Sequence, residues 1–208
     1  MNKQGILVFV VVAVAGMAGL CGCDASSRVT MQPVVATGEG KRAVLIDVVV
    51  LNAHNDVLRP IFQNDGPEVL AEHLMTKPNP AVTEYILQAH IMTFDGEPAT
   101  VSVSDKGGKR NAQCRVTPTI LDDGSVQAAL VVEIDDEIAA ASVTIEKTQE
   151  VEPLPIINRL SLETTLALPA GKPILAGCHC YAKEPDNTPN DISHMVILVR
   201  AEIVATEN

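Results

Sequence analysis

The chain opens on an uninterrupted apolar run over residues 6–20 and, from Lys41 onward, breaks into short stretches where aliphatic and polar positions largely alternate. A polar start carrying Lys3, the apolar run and the small-residue exit Leu20-Cys21-Gly22-Cys23 form the three parts of a secretory signal peptide over residues 1–22. The run falls short of the roughly 20 residues that span a bilayer, which favours a cleaved leader over a retained membrane helix. Residues 24–40 show no sustained periodicity and read, with Cys23, as a flexible tether.

Beyond the tether the periods are those of strands. Residues 43–51 are continuously apolar except for Asp47, which is consistent with a largely buried strand. Val57, Leu58, Ile61 and Phe62 keep helical spacing around Pro60, which predicts a short, broken helix. Pro67 followed by residues 68–74 predicts two more helical turns, closed by Pro78. Three hairpins follow. Residues 85–94 and 99–104 flank Asp95-Gly96, residues 114–120 and 126–134 flank Asp122-Asp123-Gly124, and residues 160–168 and 174–178 flank Pro169-Ala170-Gly171-Lys172. Residues 194–204 make a last strand. The expected fold is mainly β, with one or two short helices and antiparallel hairpins forming a sheet or sandwich, in one domain over residues 41–208.

Composition narrows the function. With no Trp, two Tyr and three Phe, the core must be built from branched aliphatics, and the aromatic platforms of sugar or base recognition are missing. A formal charge of −11 without Lys/Arg clusters disfavours nucleic acid and direct adhesion to anionic headgroups. Any hold on a membrane must then come from a lipid. Leu20-Cys21-Gly22-Cys23 resembles the lipobox of bacterial lipoproteins, which implies diacylation of the Cys23 thiol before cleavage. Asp24 is similar to the signal that retains some of these proteins at the inner membrane. The implied location is the cell envelope, anchored by lipid and facing the periplasm; an ordinary cleaved secretory protein is the alternative.

The order of the strand-and-turn segments resembles the core domain of the secretins, the ring-forming proteins of type II and type III secretion systems and type IV pili. The resemblance covers residues 41–204. Val44-Leu45-Ile46-Asp47-Val48-Val49-Val50 is similar to the family's opening strand, and residues 89–103, with Thr93, Asp95-Gly96 and Val101, to its "T.DG..A.I.V" unit. Val116-Thr117-Pro118-Thr119-Ile120 with Asp123-Gly124 resembles the "VTP.I..DG" hairpin, residues 163–177 the "TTV.V.DG.TVVLGG" pair, and residues 196–204 the closing strand. This chain departs from the family in three ways. Only a tether precedes the core, residues 104–115 replace the long gate and membrane-spanning hairpins, and Cys114 and Cys178 interrupt family motifs. The resemblance therefore implies a reduced, secretin-like β domain, and the missing hairpins argue against a transmembrane pore. Its partners would be envelope or secretion-system proteins, or further copies of itself in a ring.

Catalysis finds no nucleophile elbow, phosphate loop or dinucleotide fingerprint, so no enzyme activity or cofactor is expected. Beyond Cys23 the candidate chemistry is sulfur. Cys114, Cys178 and Cys180 fit a disulfide from Cys114 to either partner, unpaired thiols, or an exported metal site, and an oxidising compartment favours the disulfide. In a strand, Cys178 and Cys180 share one face and His179 takes the other, which argues against all three binding one ion. His54, His73, His90 and His194 read as surface or strand-end residues. Asp135-Asp136-Glu137, Glu184 and Asp186 read as solvated acids in turns, without the loop spacing of a calcium site.

Overall fold

Aliphatic side chains at every second position fold into two antiparallel sheets in the computed structural model, which describes residues 28–31, 42–76, 83–105, 107–141, 154–182 and 192–204. The elements are β1 (Arg28–Met31), β2 (Ala43–His54), α1 (Asn55–Asn64), α2 (Gly66–Thr76), β3 (Thr83–Phe94), β4 (Ala99–Ser104), β5 (Arg110–Ile120), β6 (Val126–Ala141), β7 (Leu154–Leu168), β8 (Ile174–Ala182) and β9 (Ile192–Val204). One sheet has the order β1-β4-β5-β6-β7 and the other β3-β2-β9-β8. The expected fold class, mainly β with two short helices, is what the chain adopts.

Alternation positions the first sheet. On β5, Ala112, Cys114 and Val116 are buried while Asn111, Gln113 and Arg115 are exposed, so one face meets the second sheet and the other meets solvent. The facing residues include Ile46, Val48 and Val50 on β2, Ile91 on β3, and Ile197 and Val199 on β9. A separate cluster joins Val49, Leu51, Val196 and Leu198, on the other face of the second sheet, to Leu58 of α1 and Leu70 and Leu74 of α2. Strands β2 and β9 are thus covered on both faces, which explains why residues 43–51 lack polar alternation. Burying one such side chain contributes about 1.5–3 kcal/mol, so many small aliphatic contributions replace a few aromatic ones.

The helix expected to break is continuous: α1 runs through Pro60. Proline at this position forfeits one backbone bond, the one to the Asp56 carbonyl, and Pro60 is exposed while Leu58 anchors the helix in the apolar cluster. Gly66, with φ 82°, takes the left-handed conformation that turns the chain from α1 into α2.

Of the three expected hairpins only β5–β6 forms, from Arg110↔Asp136 to Ile120↔Val126. Strand β3 pairs with β2 and β4 with β5, and likewise β7 pairs with β6 and β8 with β9. Asp95-Gly96 and residues 169–173 are therefore corners that carry the chain from one sheet to the other. Proline marks the difference, since Pro98, Pro169 and Pro173 cannot donate to a returning ladder, whereas residues 121–125 contain none. The first corner is held from both sheets: Asp95 donates its N–H to the Arg42 carbonyl at 3.0 Å, and Gly96 donates to the Pro118 carbonyl at 2.7 Å. At the second, Gly171 donates to the Ala201 carbonyl at 2.8 Å.

Part of the segment read as a flexible tether is also ordered. Residues Arg28–Met31 form β1, antiparallel to β4 from Arg28↔Ser104 to Met31↔Val101. Without it β4 would be an edge strand, whose unpaired backbone groups accept a short neighbour. The signal peptide and Cys23 lie outside the described residues.

Candidate interaction edge and a thiol–imidazole pair

On one side of the sandwich the apolar layer runs out to edge strands β7 and β8. Leu160, Leu162 and Leu166 on β7 and Ile174 and Ala176 on β8 pack against the inter-sheet core but stay half-buried. Among the described residues no strand pairs with the outer side of either one, and such an edge is the feature by which sheets recruit another strand. β6 and β7 continue past the start of β5 as a two-stranded ribbon, on which Ile157 is 57% exposed.

Two charged clusters fix the sandwich behind this edge. In the second sheet Asp47 is buried, and its register partners on both sides are ionisable: His90 on β3 and Arg200 on β9. The His90 Nδ1 lies 2.6 Å from Asp47 Oδ1, while Arg200 donates through Nε at 2.8 Å and through a second nitrogen to Oδ2. Apart from this contact, the sequence offered no reason to single out His90, which read as a surface residue.

The second cluster links the sheets. Arg110 donates through Nε and a terminal nitrogen to the two Asp136 oxygens at 3.1 and 3.0 Å, and through its other terminal nitrogen to Glu84 Oε1 at 2.7 Å. Asn52 donates to Glu84 Oε2 at 3.1 Å. Burial opposes the Arg110 charge, but Asp136 and Glu84 outweigh it and raise its pKa. Asp135 forms a two-pronged pair with Arg159 at 2.6 and 2.9 Å, which lowers the pKa of this exposed carboxylate. Asp135 and Asp136, expected as solvated turn acids, are thus paired strand residues; Glu184 and Asp186 lie outside the described residues.

The cysteines are divided between the sheets. Cys114 is a free, fully buried thiol in the inter-sheet core. Cys178 is exposed, and its register partner Val196 packs on the helix-facing side of the second sheet. The placement therefore does not bring Cys178 to Cys114 for the expected bridge. The side chain of Cys180 lies outside the described residues. Instead, Cys178 Sγ lies 3.8 Å from His194 Nδ1. Among the described residues no group of three His, Cys, Asp or Glu side chains is arranged to hold a metal ion.

Burial pushes the Cys114 pKa up to about 12. Its folded pKa lies above the unfolded one, so the unfolded chain releases the proton first as pH rises. Stability is then complete below about pH 9 and falls toward pH 12 by up to about 1.4 kcal/mol per pH unit. Cys114→Ala should flatten that alkaline slope, read from urea unfolding at pH 8 and pH 10. In the native protein iodoacetamide should modify Cys178 and spare Cys114 until unfolding; equal rates would contradict the buried placement.

The described residues define a mainly β scaffold of two antiparallel sheets. No protein-family model matches the chain, and no curated protein sequence does. Among solved structures it is similar to the secretin-domain β-barrel of InvG from the Salmonella SPI-1 injectisome, at 16% identity and TM-score 0.40, covering 81% of this chain and 64% of that one. It is also similar to a chain of the Klebsiella pneumoniae type II secretion system outer membrane complex of PulD, PulS and the PulC HR domain, at 10% identity and TM-score 0.47, covering 81% and 41%. A third is the type II secretin GspD of E. coli K12, at 12% identity and TM-score 0.43, covering 80% and 51%. The chain spans less than two thirds of the length of each.

Proposed function

We propose that this chain is a lipid-anchored, non-enzymatic envelope protein whose secretin-like β domain binds other envelope proteins as an accessory of a secretion or pilus assembly. One observation carries the reading. The five segments that resemble the secretin core in sequence coincide with β2, the β3–β4 corner unit, the β5–β6 hairpin, the β7–β8 corner unit and β9, in that order. The half-buried aliphatic seam at β7 and β8 supports a binding role, because a protein partner would complete the burial those strands leave unfinished. Cys23, at the lipobox, is the proposed attachment point, and each acyl methylene buried in the bilayer would add about 0.8 kcal/mol.

The test is Cys23→Ser in the full chain, followed by labelling with palmitate and membrane fractionation. The wild type should take up label and sediment with membranes, and the variant should do neither. A variant that stays membrane-bound through alkaline extraction would overturn the anchor.

The same open edges favour a second reading, a self-assembling ring subunit in which a neighbouring copy covers β7 and β8. Native mass spectrometry of the full chain in detergent separates the two: a single multimeric species supports the ring, and a monomer supports the accessory role.

A further inference from the structure

We propose that β1 is a strap that occupies the β4 edge in place of β7 from a second copy of this chain, and so keeps copies from pairing through the first sheet. Strand direction permits the exchange. In the order β1-β4-β5-β6-β7 every neighbour is antiparallel, so β1 and β7 run the same way. The four strands β4 to β7 are an even set, so β7 of a second copy laid against β4 would continue the antiparallel ladder with the core faces of both copies on one side. Such a contact is head-to-tail, with one edge given and one received by each copy.

Register makes the exchange specific. Carried across the sheet, the pairings put Ser104, Asn111, Asp135 and Arg159 in one row. The next rows join Val103 to Leu160, Ser102 to Ser161 and Val101 to Leu162. β1 sets Arg28, Val29, Thr30 and Met31 against the same β4 residues, from Ser104 to Val101. Arg28-Val29-Thr30-Met31 thus stands where Arg159-Leu160-Ser161-Leu162 of a level second copy would stand, cation for cation, hydroxyl for hydroxyl and aliphatic for aliphatic. That match of sequence, row and direction is what carries the proposal.

The two strands differ in length and in attachment. β1 covers four of the six β4 residues, whereas β7 is 15 residues long and would bring half-buried Leu160 and Leu162 beside Val103 and Val101. β1 has the advantage of belonging to the same chain. A segment on a short tether acts at an effective concentration of about millimolar, roughly a thousand times that of a micromolar partner. β1 therefore holds the edge while copies are dilute and yields it when they are crowded.

The experiment compares the full chain in mild detergent with the double variant Val29→Pro/Thr30→Pro, both at micromolar concentration, by native mass spectrometry. Successive N–H groups of a strand point to opposite sides, so proline at both positions removes a ladder donor whichever side faces β4. The wild type should be monomeric and the variant multimeric, with self-association tightened about a hundredfold or more. A peptide of residues 27–32 at about millimolar concentration should return the variant to monomer, which it would not do for misfolded aggregate. On the wild type, a peptide of residues 158–165 should displace β1 and strip hydrogen-exchange protection from residues 28–31, a readout that needs no variant to fold. A multimeric wild type, a variant that stays monomeric with native circular dichroism, multimers indifferent to the first peptide, or full protection against the second would each overturn the strap. The first of these outcomes leaves the ring reading standing and the second the accessory reading, and none bears on the lipid anchor.

Discussion

Arg200→Met is expected to lower the unfolding free energy by about 3 kcal/mol, because, of the His90 and Arg200 contacts that hold the Asp47 carboxylate inside the second sheet, it leaves only the His90 hydrogen bond. The magnitude follows from asymmetry of exposure. The Asp47 side chain is 5% exposed, whereas Arg200 is 39% exposed and reaches water with part of its guanidinium. Removing the cation therefore strands a desolvated charge, which costs more than the ion pair itself contributes. For a domain of this size the melting temperature should drop by about 6–12 °C, measured by circular dichroism. Asp47→Leu combined with Arg200→Met should recover most of the loss, since the double variant buries no unpaired charge. His90→Ala should cost about 1 kcal/mol, the ordinary value of one hydrogen bond. Strict additivity of the two main substitutions would mean that the contacts in this cluster are not energetically coupled.

That cluster was beyond reach of the sequence. Asp47 was visible only as an interruption in an apolar run, and its partners lie 43 and 153 residues away. Neither neighbour can be named until β3 and β9 are known to flank β2, and hairpin logic gave β3 the wrong partner. The strands themselves were legible because alternation on β5 and double burial on β2 leave distinct periods. What decided sheet membership was the geometry of two turns, and turn residues such as Asp95-Gly96 serve a corner as readily as a hairpin. Pro98, Pro169 and Pro173 were the available signal, as residues unable to extend a returning ladder. β1 was invisible for a different reason: four residues are too few to establish a period. The thiol chemistry was half legible. Cys178 and Cys180 stood out by spacing, but His194 entered only through the β8–β9 register.

Arg110→Ala should cost about 2 kcal/mol, and its cause is distinct from that at Asp47. Away from the hydrogen-bonded corners, the core between the two sheets is mostly aliphatic, and aliphatic attraction is non-directional and tolerates sliding of one layer over the other. The chain of contacts from Asp136 through Arg110 and Glu84 to Asn52 crosses from β6 and β5 in the first sheet to β3 and β2 in the second. It is a directional link, and it sits at the end of β5 where the β6–β7 ribbon leaves the sheet. The arm to Asp136 is the stronger one, because both of its hydrogen bonds are charge-assisted and the carboxylate is 29% exposed. Glu84, 49% exposed, is more open to solvent and more screened. Asp136→Asn should thus destabilise more than Glu84→Gln, and added salt should narrow the contribution of Glu84 first. Arg110→Lys should recover only a minor part, since an ammonium reaches one carboxylate at a time and cannot reproduce the planar fork. Unfolding in urea at low and high salt measures all four variants. A loss below about 0.5 kcal/mol for Arg110→Ala, the range of ordinary surface substitutions, would mean that this side-chain link adds nothing to what apolar packing and the corners already fix.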